Sequence, residues 1–335
     1  MTDRQSIVVT GTAGFIGFHV ASALLRRGET VIGIDSLNDY YDPQLKRDRL
    51  NAIDQTNGHF DFIQCNFADH HALEAALDGR NFDRIVHLGA QAGVRYSLEN
   101  PRAYVESNLV GHLNMLEIAR HRGVKHLVYA SSSSVYGQNA KTPFSVGDRV
   151  DRPVSLYAAT KKSDELISES YAHLYRIPMT GLRFFTVYGP WGRPDMAPWL
   201  FTEAILTGKP IKVFNDGKMR RDFTYIDDIV AGVVGTLDKA PVDDGNIKPG
   251  GSSSPHAIYN IGNNKAEELS RFIGVIEEAC GREAEKIMLP MQPGDVPATF
   301  ADIDDIARDT GYAPTTPIDV GIPAFVEWFR TYKGL

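Results

Sequence analysis

Residues 6–17 read SIVVTGTAGFIG. The apolar run at the start of this stretch predicts a short buried strand, and three glycines follow it in a G-x-x-G-x-x-G spacing. Over residues 14–27 the apolar side chains recur at a helical spacing, and residues 30–34 (TVIGI) form a second strand-like run. This order of strand, glycine-rich loop, helix and strand predicts a βαβ unit, whose two strands lie parallel.

Each glycine of the loop has its own role in binding phosphate. Gly11 permits a tight turn, Gly14 lets a pyrophosphate approach the free amides of a helix N-terminus, and Gly17 lets the helix pack on the sheet. Asp35 ends the second strand, where a carboxylate accepts hydrogen bonds from the hydroxyls of an adenosine ribose and repels a 2′-phosphate. The stretch therefore predicts a site for NAD rather than NADP.

Further along the chain, strand-like and helical patterns continue to alternate. Strands are predicted at 60–65, 85–88, 126–130 and 179–185, and helices at 73–77, 104–120 and 156–175. This alternation predicts the α/β class, a doubly wound parallel sheet (Rossmann-like) with a smaller C-terminal substrate-binding lobe. We expect an NAD-binding domain over residues 1–186, to which part of 224–262 returns, and a mainly substrate-binding lobe over 187–335.

Composition limits the function classes. Of the 335 residues, 43% are hydrophobic and 23% charged, which is ordinary for a globular protein and excludes a largely disordered chain. The net charge of −7 provides no general attraction for nucleic acid or an anionic membrane. The two cysteines make no disulfide framework, the histidines show no metal-binding spacing, and no apolar run approaches ~18 residues. We therefore expect a cytoplasmic protein without a metal, a nucleic-acid partner or a membrane partner.

A tyrosine and a lysine stand one helical turn apart. Tyr157 and Lys161 occupy positions i and i+4 of a predicted helix and so share one face. A nearby ammonium favours the phenolate, which makes Tyr157 a candidate base for an alcohol proton. Four hydroxyls, Ser131 to Ser134, follow the predicted strand at 126–130. Because ligands bind at the carboxyl ends of strands in such sheets, the two features predict a catalytic site.

Together these motifs resemble an extended short-chain dehydrogenase/reductase of the nucleotide-sugar epimerase family. The matching stretches are TGTAGFIG (10–17), HLGAQAGVRYS (87–97), ASSSSVYG (130–137), YAATK (157–161), RFFTVYGPWGRPDMA (183–197) and RRDFTYIDD (220–228). The second and fifth are nearly signatures of the UDP-glucuronate 4-epimerase subfamily, apart from Gly89, where alanine is more usual.

The resemblance implies a mechanism and a set of cofactor contacts. Ser132 and Tyr157 would hydrogen-bond the sugar 4-hydroxyl, Tyr157 would take its proton, and Lys161 would bind the nicotinamide ribose. NAD would take the C4 hydride and return it to the other face of a transient 4-keto sugar, converting UDP-glucuronate to UDP-galacturonate. The dinucleotide contacts implied are Gly11, Gly14, Phe15, Ile16, Gly17, Asp35, Asn38, Asn66, Phe67, Leu88, Ala90, Gln91, Asn108, Tyr157, Lys161 and Phe185.

The residue types at positions 133 and 134 distinguish three enzyme activities that share this fold. Dehydratases of the family carry an Asp-Glu pair at these positions, and nucleotide-glucuronate decarboxylases carry Glu in place of Ser134. A 4-keto uronate loses CO₂ readily, so a site that retains the carboxylate should surround it with neutral donors. Ser133, Ser134 and Thr186 supply such donors, which favours epimerisation without decarboxylation.

The resemblance also implies substrate contacts outside the serine run. Arg221 matches the pyrophosphate clamp, with Phe223 beside it in the motif, and Arg193 matches a second substrate-side arginine. Arg95 faces either the nucleotide or the carboxylate, and Asp295 lies in a segment that resembles one closing over the uridine. The predicted helices at 104–120 and 156–175 carry apolar positions beyond one stripe, and in this family such helices form a homodimer interface.

Two alternatives stay open from the sequence. The first alternative is a UDP-glucose 4-epimerase or another nucleotide-sugar epimerase. The second is a redox-sensing protein that binds the dinucleotide but catalyses no reaction. Proteins of the second kind typically lack the tyrosine–lysine pair, which argues against that alternative.

Overall fold

The computed structural model describes residues 6–54, 58–291 and 298–335. Its strands are β1 Ser6–Thr10, β2 Thr30–Asp35, β3 His59–Gln64, β4 Phe82–His87, β5 His126–Ser132, β6 Met179–Phe184, β7 Thr186–Tyr188, β8 Ile211–Phe214, β9 Arg220–Tyr225, β10 His256–Ile261, β11 Ala266–Glu268 and β12 Lys286–Leu289. Its α-helices are α1 Phe15–Arg26, α2 Pro43–Asp54, α3 His70–Leu77, α4 Tyr96–Glu99, α5 Pro101–Tyr104, α6 Gly111–His121, α7 Leu156–Tyr175, α8 Ala197–Thr207, α9 Ile226–Leu237, α10 Leu269–Cys280, α11 Asp304–Thr310 and α12 Ile318–Lys333.

Seven parallel strands form the central sheet in the order β10-β6-β5-β4-β1-β2-β3. The chain runs outward from β1 through β2 to β3 and then crosses to β4 on the other side of β1. Because the loops after β1 and β4 leave in opposite directions, a crevice opens between them, which is where such sheets bind ligands. The predicted doubly wound α/β fold is confirmed.

Both faces of this sheet are covered, as residues from β1 demonstrate. Ile7 and Val9 pack into one cluster with α1 and α9, whereas Val8 packs into another with α3 and α6. All three side chains are fully buried. Successive residues of a strand point to opposite faces, so a run of apolar residues with helices on both sides buries every side chain.

The C-terminal part of the chain builds a smaller lobe with its own core. Helices α8, α10 and α12 pack together around Trp199, Phe272, Phe325 and Phe329. Two small sheets, β11-β9-β7 and β12-β8, contribute to this lobe, and Phe223 of β9 and Val213 of β8 lie in its core. The chain returns to the central sheet once, at β10, which pairs in parallel with β6.

One predicted helix differs from the structure. The single helix expected over 104–120 is divided into α5, a π-helical turn at Val105–Val110, and α6. The wider turn directs Asn108 inward, where its side chain is 1% exposed. The backbone at Gly111 packs closely against Phe67, so that a Cβ there would lie 2.5 Å from Cδ2 of the ring. A π-turn of this kind often marks a functional position.

In the described ranges, no helix combines the length and the hydrophobicity that crossing a membrane requires.

Candidate active site at the carboxyl edge of the sheet

The glycine-rich loop closes tightly between β1 and α1. Gly11 has φ +70°, and a Cβ there would lie 2.8 Å from the amide nitrogen of Gly89. A Cβ at Gly17 would lie 2.6 Å from the carbonyl carbon of Gly11, so the helix rests directly on the turn. The amide of Gly14 donates to the Gly11 oxygen at 2.8 Å. Among the described residues, no side chain caps α1 at Gly14, which leaves its first-turn amides available to a phosphate.

Asp35 lies beside this loop, as expected. Its carboxylate accepts a hydrogen bond from the amide of Ala13 at 3.1 Å and from Leu37 at 2.9 Å. The side chain of Asn38 is held by Lys46, whose ammonium donates to Asn38 Oδ1 at 2.6 Å. These bonds fix the loop and the acid in one frame before a cofactor binds.

The sequence did not reveal the role of Arg49, which is fully buried beneath the loop. Its guanidinium donates to the carbonyl of Ala13 at 2.9 Å and to Trp191 in the smaller lobe at 2.7 Å. It also donates to the Tyr41 hydroxyl at 2.7 Å. Arg49 therefore connects the phosphate loop to the segment that carries Arg193.

Residues after β4 form the opposite side of the crevice. The Thr10 hydroxyl lies 2.7 Å from His87 Nδ1 and accepts from the amide of Gly89 at 3.0 Å. Gln91 and Asn108 exchange two hydrogen bonds, 2.8 Å and 3.1 Å long, so the π-turn holds the loop after β4 in place.

The other side chains expected to contact the dinucleotide differ in exposure. Phe15, Phe67 and Phe185 are buried, Ile16, Leu88 and Ala90 are half-buried, and Asn38 and Asn66 are exposed. Asn66 sits after β3, and its amide donates to Glu106 at 3.4 Å. The crevice thus has an apolar floor and a polar rim, although direct contact of these residues with a dinucleotide remains a prediction.

Tyr157 lies in the first turn of α7 and is half-buried. The Ser155 hydroxyl caps this helix by accepting from the amide of Ala158 at 3.1 Å, which explains why the helix begins just before the tyrosine. One turn later, the Lys161 ammonium donates to the carbonyl of Ala130 at 2.9 Å. That bond brings the tyrosine helix to the carboxyl end of β5, where the serine run begins.

The four serines occupy two kinds of structure. Ser131 and Ser132 continue β5 and pair with β6, while Ser133 and Ser134 start a 3₁₀ turn, Ser133–Tyr136. Ser132 Oγ accepts from the amide of Ser134 at 3.1 Å. Ser133, Ser134 and Thr186 are all half-buried. Ser131 instead donates to Glu165 at 2.7 Å, so it belongs to the core rather than to a ligand site.

Two buried acids on α7 were not anticipated from the sequence. The guanidinium of Arg183 donates from Nε to Glu165 Oε1 at 2.8 Å and from Nη2 to Glu165 Oε2 at 2.9 Å. Both side chains are buried. Burial alone would raise the pKa of Glu165, but the hydrogen bonds from Arg183 hold it below its ordinary value. Asp164 lies 3.1 Å from the Lys161 ammonium and is 1% exposed.

On the substrate side, Arg193 makes two hydrogen bonds to Asp195, 3.0 Å and 2.5 Å long, and Tyr40 donates to the same carboxylate at 3.0 Å. The guanidinium of Arg95 lies 5.1 Å from the ring centroid of Phe214. These contacts place Arg193 against the loop after β2 and Arg95 against the smaller lobe.

The remaining substrate candidates lie near β9. Arg221 is half-buried and donates to the carbonyl of Arg220 at 3.0 Å. Phe223 is 2% exposed, and its ring stacks on Phe272 with centroids 3.9 Å apart, so one ring face is already covered. Asp295 lies outside the described residues.

These residues fit a dinucleotide. A pyrophosphate requires a loop whose backbone it can approach closely and a helix N-terminus with free amides, which Gly11, Gly17 and the uncapped start of α1 provide. An adenosine ribose requires an acid at the end of the second strand, which is Asp35 at the end of β2. This fit supports the prediction, made from the sequence, that the cofactor is NAD rather than NADP.

Comparison with known proteins agrees with this geometry. Residues 7–262 match the model of the NAD dependent epimerase/dehydratase family. Protein CapI of Staphylococcus aureus is 50% identical over 334 residues, covering 98% of this chain and 99% of that protein. A probable UDP-glucuronate 4-epimerase of Rhizobium meliloti (strain 1021) is 48% identical over 328 residues, covering 96% of each chain.

Among solved structures, the UDP-glucuronic acid 4-epimerase of Bacillus cereus in complex with UDP-glucuronic acid and NAD is similar throughout. It is 32% identical with a TM-score of 0.85, and the match covers 98% of this chain and 100% of that one. The family match spans most of the chain and includes the phosphate loop, the serine run and the tyrosine–lysine pair. The chain belongs to the NAD dependent epimerase/dehydratase family.

Proposed function

We propose that this protein interconverts UDP-glucuronate and UDP-galacturonate by NAD-dependent epimerisation at C4, through a 4-keto sugar and without decarboxylation. The observation that carries the proposal is the hydrogen bond from Lys161 to Ala130, which joins the helix of Tyr157 to the strand of Ser132. The Bacillus cereus relative, which binds UDP-glucuronic acid and NAD, supports the choice of substrate.

The residues of the chain divide the work at C4. Tyr157 takes the proton of the 4-hydroxyl and later returns it, and Ser132 hydrogen-bonds the same oxygen and orients it. Lys161 lies one helical turn further along α7, and its ammonium is assigned to the nicotinamide ribose and to the phenol, as expected from the sequence. When bound, NAD supplies a two-electron acceptor and donor for the sugar carbon. The loop at Gly11 and the carboxylate of Asp35 hold its pyrophosphate and adenosine ribose.

Retention of the carboxylate is assigned to neutral donors. Ser133, Ser134 and Thr186 are half-buried hydroxyl side chains at the ends of β5 and β6, and none carries a charge that would repel a uronate. A carboxylate hydrogen-bonded by hydroxyls stays solvated and ionised, which opposes loss of CO₂ from the 4-keto sugar. This is why a uronate is favoured over a neutral hexose, and UDP-glucose is the competing substrate.

Two measurements test the function. The protein loaded with NAD is supplied with UDP-glucuronate and UDP-glucose separately, and the products are separated by chromatography; faster turnover of UDP-glucose would contradict the proposed substrate. Tyr157→Phe should lower kcat by roughly 10²–10⁴-fold while NAD binding persists. Tyr175→Phe, on the same helix but five turns from the site, is the matched control and should retain wild-type turnover.

We further propose the division expected from the sequence, with an NAD-binding domain over 1–186 and a mainly substrate-binding lobe over 187–335. The pairing of β10 with β6 and the packing of α9 on α1 support the return of part of 224–262 to the first domain.

A homodimer completes the proposal. Apolar side chains are exposed on two neighbouring segments: Val110 at the end of the π-turn and Leu113 in α6 on one, and Leu166 and Leu174 of α7 on the other. Tyr171 of α7 donates to Glu117 of α6 at 2.5 Å, so the two helices present one joint surface. A second copy placing the same helices on this surface would bury these side chains in a symmetric interface.

A further inference from the structure

A buried carboxyl lies directly behind the proposed catalytic lysine. Asp164 follows Lys161 by three residues on α7, and its Oδ2 lies 3.1 Å from the ammonium. The two side chains are only 1% and 5% exposed. Among the described residues, Asp164 Oδ1 is a buried oxygen with no hydrogen-bond partner. A buried carboxylate oxygen without a donor is costly, so the acid is poorly accommodated as an anion.

The titratable side chains that face this pair from the central sheet and from α6 are neutral. Burial and the nearby Lys161 lower the pKa of His87 on β4 to about 3, and burial likewise holds the pKa of His112 on α6 well below its usual value. Burial raises the pKa of Tyr129 on β5 well above its usual value. On α7 itself, Glu165 is ionised but bonded to the guanidinium of Arg183 and to the ammonium of Lys162, which lies 3.1 Å from its Oε2. Lys161 and Asp164 are therefore the charges that act on each other here.

We propose that Asp164 is a titratable counter-charge to Lys161, which positions the ammonium and sets how strongly that ammonium favours the Tyr157 phenolate. Protonated Asp164 leaves the full positive charge of Lys161 acting on the phenol, whereas ionised Asp164 partly cancels it. Asp164 contacts neither substrate nor cofactor in this proposal, so it is a positioning residue. The proposal rests on the proposed function only for the identity of the base.

The range in which this counter-charge changes lies near neutrality. Burial raises the pKa of Asp164 to about 7, although the ammonium of Lys161 opposes the increase. Below this range Asp164 is neutral and the charge of Lys161 is uncompensated, whereas above it the carboxylate opposes the ammonium. Any property of the protein that depends on the charge of Lys161 should therefore change as Asp164 ionises.

Asp164→Asn tests the proposal, because asparagine keeps the size of the side chain and an oxygen for Lys161 but removes the charge. In the NAD-loaded protein, the tyrosinate absorbance of Tyr157 is obtained by subtracting the spectrum of Tyr157→Phe at each pH. We expect the midpoint of the variant to lie about 0.5 to 1 pH unit lower, because Lys161 is no longer opposed by a negative charge, and we expect the same shift in the rising limb of kcat. Asp151→Asn, an exposed change of the same type near the start of α7, should leave both curves unchanged.

An identical midpoint in Asp164→Asn would overturn the proposal and leave Asp164 a purely structural residue, even if the variant were less stable. If the asparagine variant does not fold, Asp164→Ser removes the same charge, and the same outcomes apply. A wild-type protein that binds NAD but does not turn over UDP-glucuronate would refute the proposed function alone, because the tyrosinate measurement requires no substrate.

Discussion

Gly17→Ala should separate the phosphate loop from the helix that supports it. The new Cβ would lie 2.6 Å from the carbonyl carbon of Gly11 and closer still to its oxygen, and both are backbone atoms that cannot rotate away. Gly11 itself is held in a turn at φ +70°, with its own Cβ position 2.8 Å from the amide of Gly89. Gly11 therefore lies between the backbone at Gly89 and the backbone at Gly17, and it cannot move away from one without approaching the other.

The size of the effect follows from this geometry. Relieving the contact requires the loop and the first turn of α1 to separate by about 1 Å, and a misplacement of that size at a binding group costs roughly a hundredfold. We expect the Kd for NAD to increase by about that factor, equivalent to about 2.8 kcal/mol. Overpacking should also cost about 1–3 kcal/mol of folding free energy. Calorimetric titration of the cofactor-stripped protein and urea unfolding measure the two quantities.

Gly274→Ala is the matched control. Gly274 lies inside α10 in the smaller lobe, with open space around the position of a Cβ. Alanine there should leave NAD binding unchanged and increase stability by about 0.5–1 kcal/mol, because glycine is unfavourable inside a helix. If Gly17→Ala bound NAD within threefold of the wild-type protein, the claim that the loop depends on this close approach would be wrong.

Four further outcomes are expected. Ser134→Glu should slow epimerisation and permit release of CO₂ from UDP-glucuronate, detected as a pentose product; an unchanged product distribution would count against neutral donors as the reason for carboxylate retention. Arg183→Met should cost about 3–5 kcal/mol in urea unfolding, because it leaves Glu165 buried without its guanidinium. Leu166→Glu, at a side chain 59% exposed, should halve the mass seen by ultracentrifugation, and a wild-type mass would contradict the dimer surface. Burial raises the pKa of Asp164 to about 7, so the folded state binds more protons than the unfolded state between about pH 4 and 7. The free energy of unfolding should therefore fall as pH rises through that window, and it should fall less steeply in Asp164→Asn.

The central sheet and the phosphate loop could be predicted because local sequence determines them. Val8 and its neighbours in β1 need only a buried environment on both faces, and the loop needs only glycine where a side chain would collide with backbone. Tyr157 and Lys161 share a helix, so their spacing alone places them on one side of it. In each case the pattern that carries the prediction lies within a few residues of sequence, even where the partners, such as Gly89 beside Gly11, come from elsewhere in the chain.

The features that escaped prediction depend on distant contacts. The π-turn at Val105–Val110 forms where Asn108 meets Gln91 and where Gly111 meets Phe67, and helical periodicity does not contain that information. In the sequence, Glu165 is indistinguishable from an ordinary surface acid. Its burial depends on Arg183 of β6, which binds its carboxylate in the fold. Phe223 is next to an arginine in the sequence but stacks in the core on a ring from α10.

Helix α7 shows why a short motif gains its meaning from the fold. Lys161 is bonded to Ala130 of β5, Glu165 to Arg183 of β6, and Ser168 to His112 of α6 at 2.8 Å. These three contacts with three different elements fix the rotation of the helix and its position along its own axis. Tyr157, one turn before Lys161, is thereby held in the first turn of α7, where the proposed base is expected to face the crevice. The same five residues on a helix without these partners would hold the tyrosine in no fixed position, because its place relative to the sheet is set by the core and not by the motif.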